Sequence, residues 1–129
     1  MADLKLALER LYSLTGRGRR LELGALSEAC AKFGNPERSY PAVHVGGTNG
    51  KGTVSAFLSS MHKAAGKRVG LYTSPHLIRF AERIRIDGKP IEDDALASLI
   101  DRVMDAAPDL TFFETATLMA FIAFQEAGV

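Results

Sequence analysis

The order strand, glycine-rich loop, helix, strand between residues 42 and 73 constrains the fold of this chain most strongly. The run "AVHV", residues 42–45, follows Pro41, precedes the glycines and predicts a short buried strand. Apolar residues then recur at helical spacing from 54 to 65, and "RVGLYT", residues 68–73, predicts a second strand. A βαβ unit joins parallel strands by a right-handed crossover. We therefore expect an α/β fold with a P-loop-type parallel sheet and flanking helices.

The loop between these elements, "HVGGTNGKGT", residues 44–53, departs from the common phosphate-binding pattern G-x-x-x-x-G-K-[ST]. Gly50 and Lys51 supply the G-K pair, but the first glycine is replaced by valine, and Gly52 separates the lysine from Thr53. Glycines let backbone N–H groups converge on an anion, and a helix N-terminus favours negative charge. The alternative is an ordinary strand-to-helix turn with a surface lysine. The strand before the loop and the amphipathic helix after it favour phosphate binding.

The displaced hydroxyl group of the loop changes the prediction for a metal ion. One residue is about 100° of helix rotation, so Thr53 need not occupy the usual metal position. Ser74, in "TSPHL" at 73–77, leaves the second strand at its carboxyl end, where open α/β sheets bind ligands. Its oxygen suits Mg²⁺, although a local turn hydrogen bond is the ordinary alternative. His76 is a single histidine and is interpreted as a polar loop residue.

The other elements predicted from periodicity and turn residues surround this unit. They are helices at 3–14 and 24–33, a hairpin at 83–91 with its turn at Asp87-Gly88, a helix opened by residues 92–94, and a helix at 112–127. The last helix is apolar on most sides and needs cover from more than one direction. Two strands do not provide that cover. We therefore expect residues 1–129 to be the first part of a larger domain, cut before another strand.

Charge and cysteine content exclude some classes of protein. Sixteen basic and fifteen acidic side chains give a net charge of +1, which argues against a nucleic-acid or membrane-surface protein. No apolar run reaches the roughly 18 residues of a membrane span. Cys30 is the one cysteine, so no intramolecular disulfide can form, and an intracellular, cytoplasmic protein is expected.

Three segments together resemble the folylpolyglutamate synthase/dihydrofolate synthase family, a branch of the Mur ligase superfamily. They are "HVGGTNGKGT", "YTSPHL" with "ERIRIDG" after it, and "TFFETATL". The resemblance runs from about Leu8 to Val129 with the segments in the expected order, and the glycine after the loop lysine is typical of the folate branch. It implies an ATP-dependent amide ligase: ATP converts a folate or pteroate carboxylate to an acyl phosphate, which the amine of L-glutamate attacks. The implied partners are small molecules only, without nucleic acid or membrane, and the full-length protein is expected to be a monomer.

The resemblance also implies roles for individual residues. The set that would hold the phosphates of ATP, with Lys51 as its catalytic member, is Gly47, Thr48, Asn49, Gly50, Lys51, Gly52 and Thr53. Ser74 would bind Mg²⁺. The segments that would line the pterin side are Thr111, Phe112, Phe113 and Glu114, and, on a weaker match, Arg10, Leu11, Tyr12 and Ser13. Phe113 could stack on the pterin ring. Thr111 and Glu114 also fit a helix capping box, and the phenylalanines fit a core, so both interpretations stay open.

Several parts that the resemblance implies are expected beyond Val129. They are a glutamate- and glycine-containing motif with a second Mg²⁺ ligand, a histidine ligand, a carbamylated lysine and a C-terminal domain for nucleotide and glutamate. The 129 residues alone are therefore not expected to catalyse the full reaction. Two alternatives remain: another Mur-type ligase acting on a cell-wall precursor, and a non-catalytic nucleotide-binding or structural fragment. The "SPHL" run and the Lys51-Gly52 pair favour folate, but they do not separate dihydropteroate from folate as the substrate.

Overall fold

The computed structural model describes residues 3–20 and 22–129, in which five helices and three short strands alternate with turns. The helices are α1 (Leu4–Tyr12), α2 (Gly24–Lys32), α3 (Lys51–Ala64), α4 (Asp93–Ala106) and α5 (Phe112–Ala127). The strands are β1 (Gly70–Tyr72), β2 (Ile84–Ile86) and β3 (Lys89–Pro90). All five predicted helices are present, close to the positions that periodicity and caps indicated. Within the described part of the chain, no helix combines the length and the apolar character needed to span a bilayer.

The sheet is antiparallel, with β2 between β1 and β3. Asp87 and Gly88 turn the chain between β2 and β3, and both have positive φ, 51° and 83°. Two consecutive positive φ values are the mark of the tight type I′ hairpin. The predicted hairpin is therefore confirmed, and Pro90, which has no N–H to donate, lies on the edge strand as expected.

The prediction of a strand at residues 42–45 is wrong, and with it the parallel pairing to the strand near 69–73. No strand forms there, and Val43 is 72% exposed. A parallel strand needs a hydrogen-bonded neighbour and helices on its faces. None of the 14 residues of α3, all within the described range, is buried, and its apolar residues Phe57 and Met61 face solvent. The α/β character is confirmed, whereas the described strands pair antiparallel.

The core forms where α5 packs against α1 and α4 and against β2. The largest side chains with almost no exposure are Leu11, Ile84, Leu96, Ile100, Val103, Leu118, Met119 and Ile122. Nine of the 16 residues of α5 are buried, so the prediction of a deeply buried last helix is confirmed. Gly128 ends α5 with φ 72°, the left-handed conformation of a glycine C-cap. The core thus fixes the start of α5 and the ends of α1 and β1, where the candidate residues for the pterin side and for the metal ion lie.

The basic loop at 15–20 is anchored to the segment that leads into α5. The Arg17 guanidinium donates to the carbonyl of Leu110 at 2.8 Å, and that of Arg20 donates to the carbonyl of Asp109 at 2.9 Å. Arg20 also lies 3.4 Å from the buried carboxylate of Glu114. These contacts hold the segment before α5 and, through Glu114, its first turn.

Candidate functional site

The glycine-rich loop opens α3, as the phosphate-binding interpretation requires. Gly50 precedes the helix with φ 76°, a left-handed conformation that favours glycine, and Gly47 has φ 132°. Gly52 differs, because it lies inside the first turn of α3 without a positive φ, and a Cβ atom added there would meet nothing within 4 Å. The fold itself therefore gives no reason for glycine at position 52. Close approach of a ligand to the backbone would give one.

The N-terminus of α3 is open to solvent. Its first hydrogen bond runs from the amide of Val54 to the carbonyl of Gly50, 2.9 Å, and no side chain caps the turn among the described residues. The amide groups of Lys51, Gly52 and Thr53 are therefore free to bind an anion, and the helix dipole adds to their attraction. The Lys51 side chain is exposed beside them. The helix expected after a phosphate loop is present, the strand expected before it is absent from the described residues 42–45, and the roles of the loop residues stay predictions.

Ser74 lies directly beyond the carboxyl end of β1, as predicted. The amide of Thr73 donates to the carbonyl of Arg83 at 3.0 Å, and Ser74 follows with an exposed side chain. The described residues include no group of three or more His, Cys, Asp or Glu side chains that could hold a metal ion. The predicted oxygen ligands for a metal ion are the hydroxyl groups of Ser74 and Thr53. This donor set fits Mg²⁺ in the way nucleotide enzymes use it, in which phosphates and water complete the coordination.

Two segments predicted to line the pterin side, 10–13 and 111–114, meet through their aromatic side chains. The ring of Tyr12 stacks on that of Phe112, with centroids 5.6 Å apart and an interplanar angle of 18°. Phe80 meets both rings edge to face, 6.4 Å from Tyr12 and 6.0 Å from Phe112. Phe113 points away from this group; it is 56% exposed and stacks on Tyr72 at 6.3 Å. Tyr12 and Phe113 thus present ring surface to which a flat ligand could bind.

The other residues of 10–13 are engaged elsewhere. Arg10 bonds the carboxylates of Asp101 and Asp105 on α4 at 2.8 and 2.9 Å, and these bonds, Asp105 first, raise the pKa of its guanidinium. Leu11 has no exposure and belongs to the core. Ser13 donates from its hydroxyl to the carbonyl of Arg10 at 2.6 Å. Their predicted substrate role is untested, and their contacts are those of residues that support the end of α1.

The capping box predicted as an alternative for Thr111 and Glu114 is formed. The amide of Glu114 donates to the Thr111 hydroxyl at 3.2 Å, and the amide of Thr111 donates to the Glu114 carboxylate at 3.0 Å. Both side chains are buried. The box sets the orientation of the first turn of α5, which carries Phe112 and Phe113. Capping and ligand binding are therefore compatible functions of the same four residues.

Two polar residues, His76 and Arg83, pack with these aromatic residues. The sequence analysis did not predict this contact. We call Tyr12, His76, Phe80, Arg83 and Phe112 the aromatic cluster. Arg83 is only 9% exposed, its Nε–H donates to His76 Nδ1 at 2.8 Å, and its guanidinium lies 5.1 and 5.3 Å from the centroids of Phe80 and Phe112. Burial, followed by the charge of Arg83, lowers the pKa of His76. The alternation of charged and apolar residues from 83 onward predicted a hairpin, and no local signal links Arg83 to an aromatic residue about 30 positions later.

The loop between Ser74 and Arg83 is held by one carboxylate. Glu82 accepts amide hydrogen bonds from Leu77, Ile78 and Arg79 at 3.0, 3.2 and 2.9 Å. These bonds, led by the one from Arg79, lower the pKa of Glu82. The side chains of Leu77 and Ile78 remain exposed. The loop next to the candidate metal residue is therefore ordered by its own hydrogen bonds.

Comparison with known proteins gives a consistent result. No protein-family model matches the chain. The dihydrofolate synthase/folylpolyglutamate synthase of Bacillus subtilis is 40% identical over 112 residues, which cover 81% of this chain and 26% of that protein. The folylpolyglutamate synthase structure from Thermotoga maritima matches with a TM-score of 0.87 and 34% identity over 97% of this chain and 31% of its own. An Escherichia coli structure in complex with DHPP and ADP matches with a TM-score of 0.87 and 38% identity over 96% of this chain and 30% of its own.

The chain thus spans about a quarter to a third of the length of these relatives. The structural matches cover 96–97% of this chain, with 34–38% sequence identity. The chain belongs to the folylpolyglutamate synthase/dihydrofolate synthase family.

Proposed function

We propose that residues 1–129 are the N-terminal part of the ATP-binding domain of a ligase that joins L-glutamate to dihydropteroate, to folate or to both. The observation that carries the proposal is the glycine loop at the open N-terminus of α3, in which Gly52 has space for a side chain but carries none. The E. coli relative, whose structure holds DHPP and ADP, supports the choice of ligands. The longer chain implied by the proposal would supply the remaining ligands and the second domain.

The loop stabilises the phosphoryl group that leaves ATP. Negative charge on its oxygens is met by the amides of the loop and of the first turn of α3, residues 47–53, and by the ammonium group of Lys51. The carboxylate of the pteroate or folate takes the phosphoryl group and becomes an acyl phosphate. The glutamate amine then attacks the acyl carbon, phosphate leaves, and the amide is formed. Ser74 is the residue of this chain that would hold Mg²⁺, which when bound would supply positive charge at the phosphates.

The pterin ring is placed against exposed aromatic surface. Phe113 and Tyr12 offer ring faces that a flat heterocycle can stack on, and stacking and burial favour such contacts. Phe112 packs beneath Tyr12, while Thr111 and Glu114 hold the turn that carries both phenylalanines. In this proposal Arg10, Leu11 and Ser13 act by fixing the end of α1.

The proposal includes the cellular location of the protein, its oligomeric state and the molecules that it binds. All partners are small molecules: ATP, L-glutamate and a pteroyl compound. The full-length ligase works as a monomer in the cytoplasm, independently of nucleic acid and membranes. The buried thiol of Cys30 and the near balance of charge support this setting.

Phosphate release separates the proposal from its alternatives. The full-length ligase that carries this sequence is incubated with Mg-ATP and glutamate, and with dihydropteroate, a folate or a cell-wall precursor in turn. We expect release that requires both glutamate and a pteroyl acceptor. Release with the cell-wall precursor alone would show another Mur-type ligase. Nucleotide binding without release for any acceptor would show a non-catalytic protein.

The metal assignment has its own test. Because Gly52 displaces the hydroxyl of Thr53, Ser74→Ala should raise the Mg²⁺ concentration that gives half-maximal activity more than Thr53→Ala does. The 129-residue chain alone should bind Mg-ATP only weakly, since the second metal ligand and the adenine-side domain lie outside it. Calorimetry that shows micromolar affinity for this chain would contradict that account.

A further inference from the structure

Arg83 holds the chain on both sides of Ser74. Its backbone carbonyl accepts the amide of Thr73 at 3.0 Å, and its side-chain Nε–H donates to His76 Nδ1 at 2.8 Å. The dipeptide Ser74-Pro75 lies between these two attachment points. One residue therefore fixes the entry and the exit of the segment that carries the candidate metal ligand.

The Arg83 side chain is itself firmly placed. It is 91% buried, with its guanidinium over the faces of Phe80 and Phe112 at 5.1 and 5.3 Å. Among the described residues no carboxylate lies within ion-pair distance of it. Withdrawing most of a guanidinium side chain from water without an anionic partner costs free energy, so simple core packing does not account for an arginine here. Its directed polar contact to another side chain is the bond to His76.

The bond from Arg83 determines how His76 can act. A guanidinium only donates hydrogen bonds, so Nδ1 of His76 must be the acceptor, and the proton of the neutral ring is on Nε2. Nε2 lies 3.4 Å from the hydroxyl oxygen of Tyr12 on α1. The ring also meets Phe80 edge to face at 5.7 Å. His76 thus connects the Ser74 segment to the residue whose ring faces the proposed pterin side.

We propose that Arg83 is a positioning residue, which acts through His76 to set the place of Ser74 relative to Tyr12. The proposal rests on the proposed function, because it gives Ser74 its metal role. It adds that the metal side and the pterin side of the site are mechanically one unit, joined through His76, which lies two residues from Ser74 and contacts both Arg83 and Tyr12. Loss of the Arg83 side chain should therefore impair both sides together.

The first experiment measures steady-state kinetics of the full-length ligase. Arg83→Met keeps length and apolar contact but removes the donor, and His76→Leu removes the acceptor. Both should raise half-saturating Mg²⁺ and the KM for the pteroyl substrate about tenfold, the size expected for one charge-assisted hydrogen bond, and should leave kcat at saturation within about threefold. His76→Asn, whose side-chain oxygen can replace Nδ1 as acceptor but which loses the contact of Nε2 with Tyr12, should be less impaired than His76→Leu. The double variant Arg83→Met/His76→Leu should be no worse than either single variant.

Arg85→Met is the matched control, since Arg85 lies two residues away on β2 and its hydrogen bonds, within the described part of the chain, go to the backbone carbonyls of Glu82 and Gly88. It should leave both constants unchanged within about twofold. An active wild type whose constants are unaffected by Arg83→Met, or affected equally by Arg85→Met, overturns the positioning role. A wild type that does not form the amide overturns the proposed function instead.

The second experiment uses the full-length ligase without its substrates and does not depend on catalysis. Long-range ¹H–¹⁵N spectra at about pH 8, where a free imidazole is neutral, report which ring nitrogen of His76 carries the proton. We expect Nε2–H in the wild type and a mixture of tautomers in Arg83→Met. A wild-type ring protonated at Nδ1, or the same spectrum in both proteins, would show that Arg83 does not orient His76.

Discussion

Replacing Gly52 by alanine tests whether glycine at this position is required by the fold or by a bound phosphate. Gly52 is in the first turn of α3 with no positive φ, and an added Cβ would contact nothing within 4 Å. Alanine loses less conformational entropy than glycine on entering a helix, which is worth roughly 0.5–1 kcal/mol. Gly52→Ala should therefore raise the Tm of the 129-residue chain by roughly 2–5 °C. In the full-length ligase the same methyl group should obstruct the phosphates and raise the KM for ATP at least about tenfold.

Gly50→Ala is the matched control for this experiment. Its position also has open space around it, but its φ of 76° lies in the left-handed region, so alanine there should destabilise the chain by about 1–2 kcal/mol. Thermal unfolding followed by circular dichroism measures both variants. A Gly52→Ala chain that is less stable than wild type would show that the fold needs this glycine. A more stable variant with unchanged affinity for ATP would remove the main structural argument for a phosphate at the loop.

Three further predictions concern the scaffold. Gly70→Ala should destabilise the chain by roughly 1–3 kcal/mol in denaturant titrations, because the new Cβ would overlap the buried ring of Phe124, whereas Gly24→Ala, where nothing lies within 4 Å, should not. Cys30, whose pKa is raised to about 11 by burial and by Glu37, should react with iodoacetamide at pH 8 far more slowly in the native chain than in urea; equal rates would contradict its burial. The pKa of Glu82 is lowered in the folded chain, so above pH 4.5, the pKa of the unfolded chain, wild type should be more stable than Glu82→Gln. This difference in stability should disappear as the pH falls through the lower pKa of the folded chain. A difference independent of pH would contradict the amide hydrogen bonds to Glu82.

The sequence predicted those elements whose cause is local. The limits of α5 follow from Thr111 and Glu114 at its start and Gly128 at its end, and the capping box and the left-handed glycine are both present. The hairpin follows from Asp87-Gly88 in the same way. The loop at the start of α3 could also be predicted, since the glycines and the amphipathic repeat are adjacent in sequence. In each case the residues that determine the structure lie within a few positions of it.

The sequence did not predict features that depend on distant contacts. A strand at 42–45 needs a neighbour and covering helices, and the exposed face of α3 shows that the described residues do not provide them. The aromatic cluster needs Tyr12, Arg83 and Phe112, which are separated by about 70 and about 30 residues and meet only in the folded chain. For Arg83, the cation of this cluster, the sequence showed only an arginine in a run of alternating charged and apolar residues.

The central claim is that the charge of Lys51 acts on the phosphoryl group transferred from ATP, and one substitution tests it. In the full-length ligase we expect Lys51→Ala to lower glutamate-dependent phosphate release with a pteroyl acceptor at least about a hundredfold, because an exposed lysine contributes little to the core while its charge stabilises the transition state. Circular dichroism should be unchanged, and Lys63→Ala, on the same helix with its ammonium group 3.1 Å from the carbonyl of Asp87, should retain normal activity. Activity of Lys51→Ala within a few-fold of wild type, with a normal circular dichroism spectrum, would contradict the phosphate role of this loop.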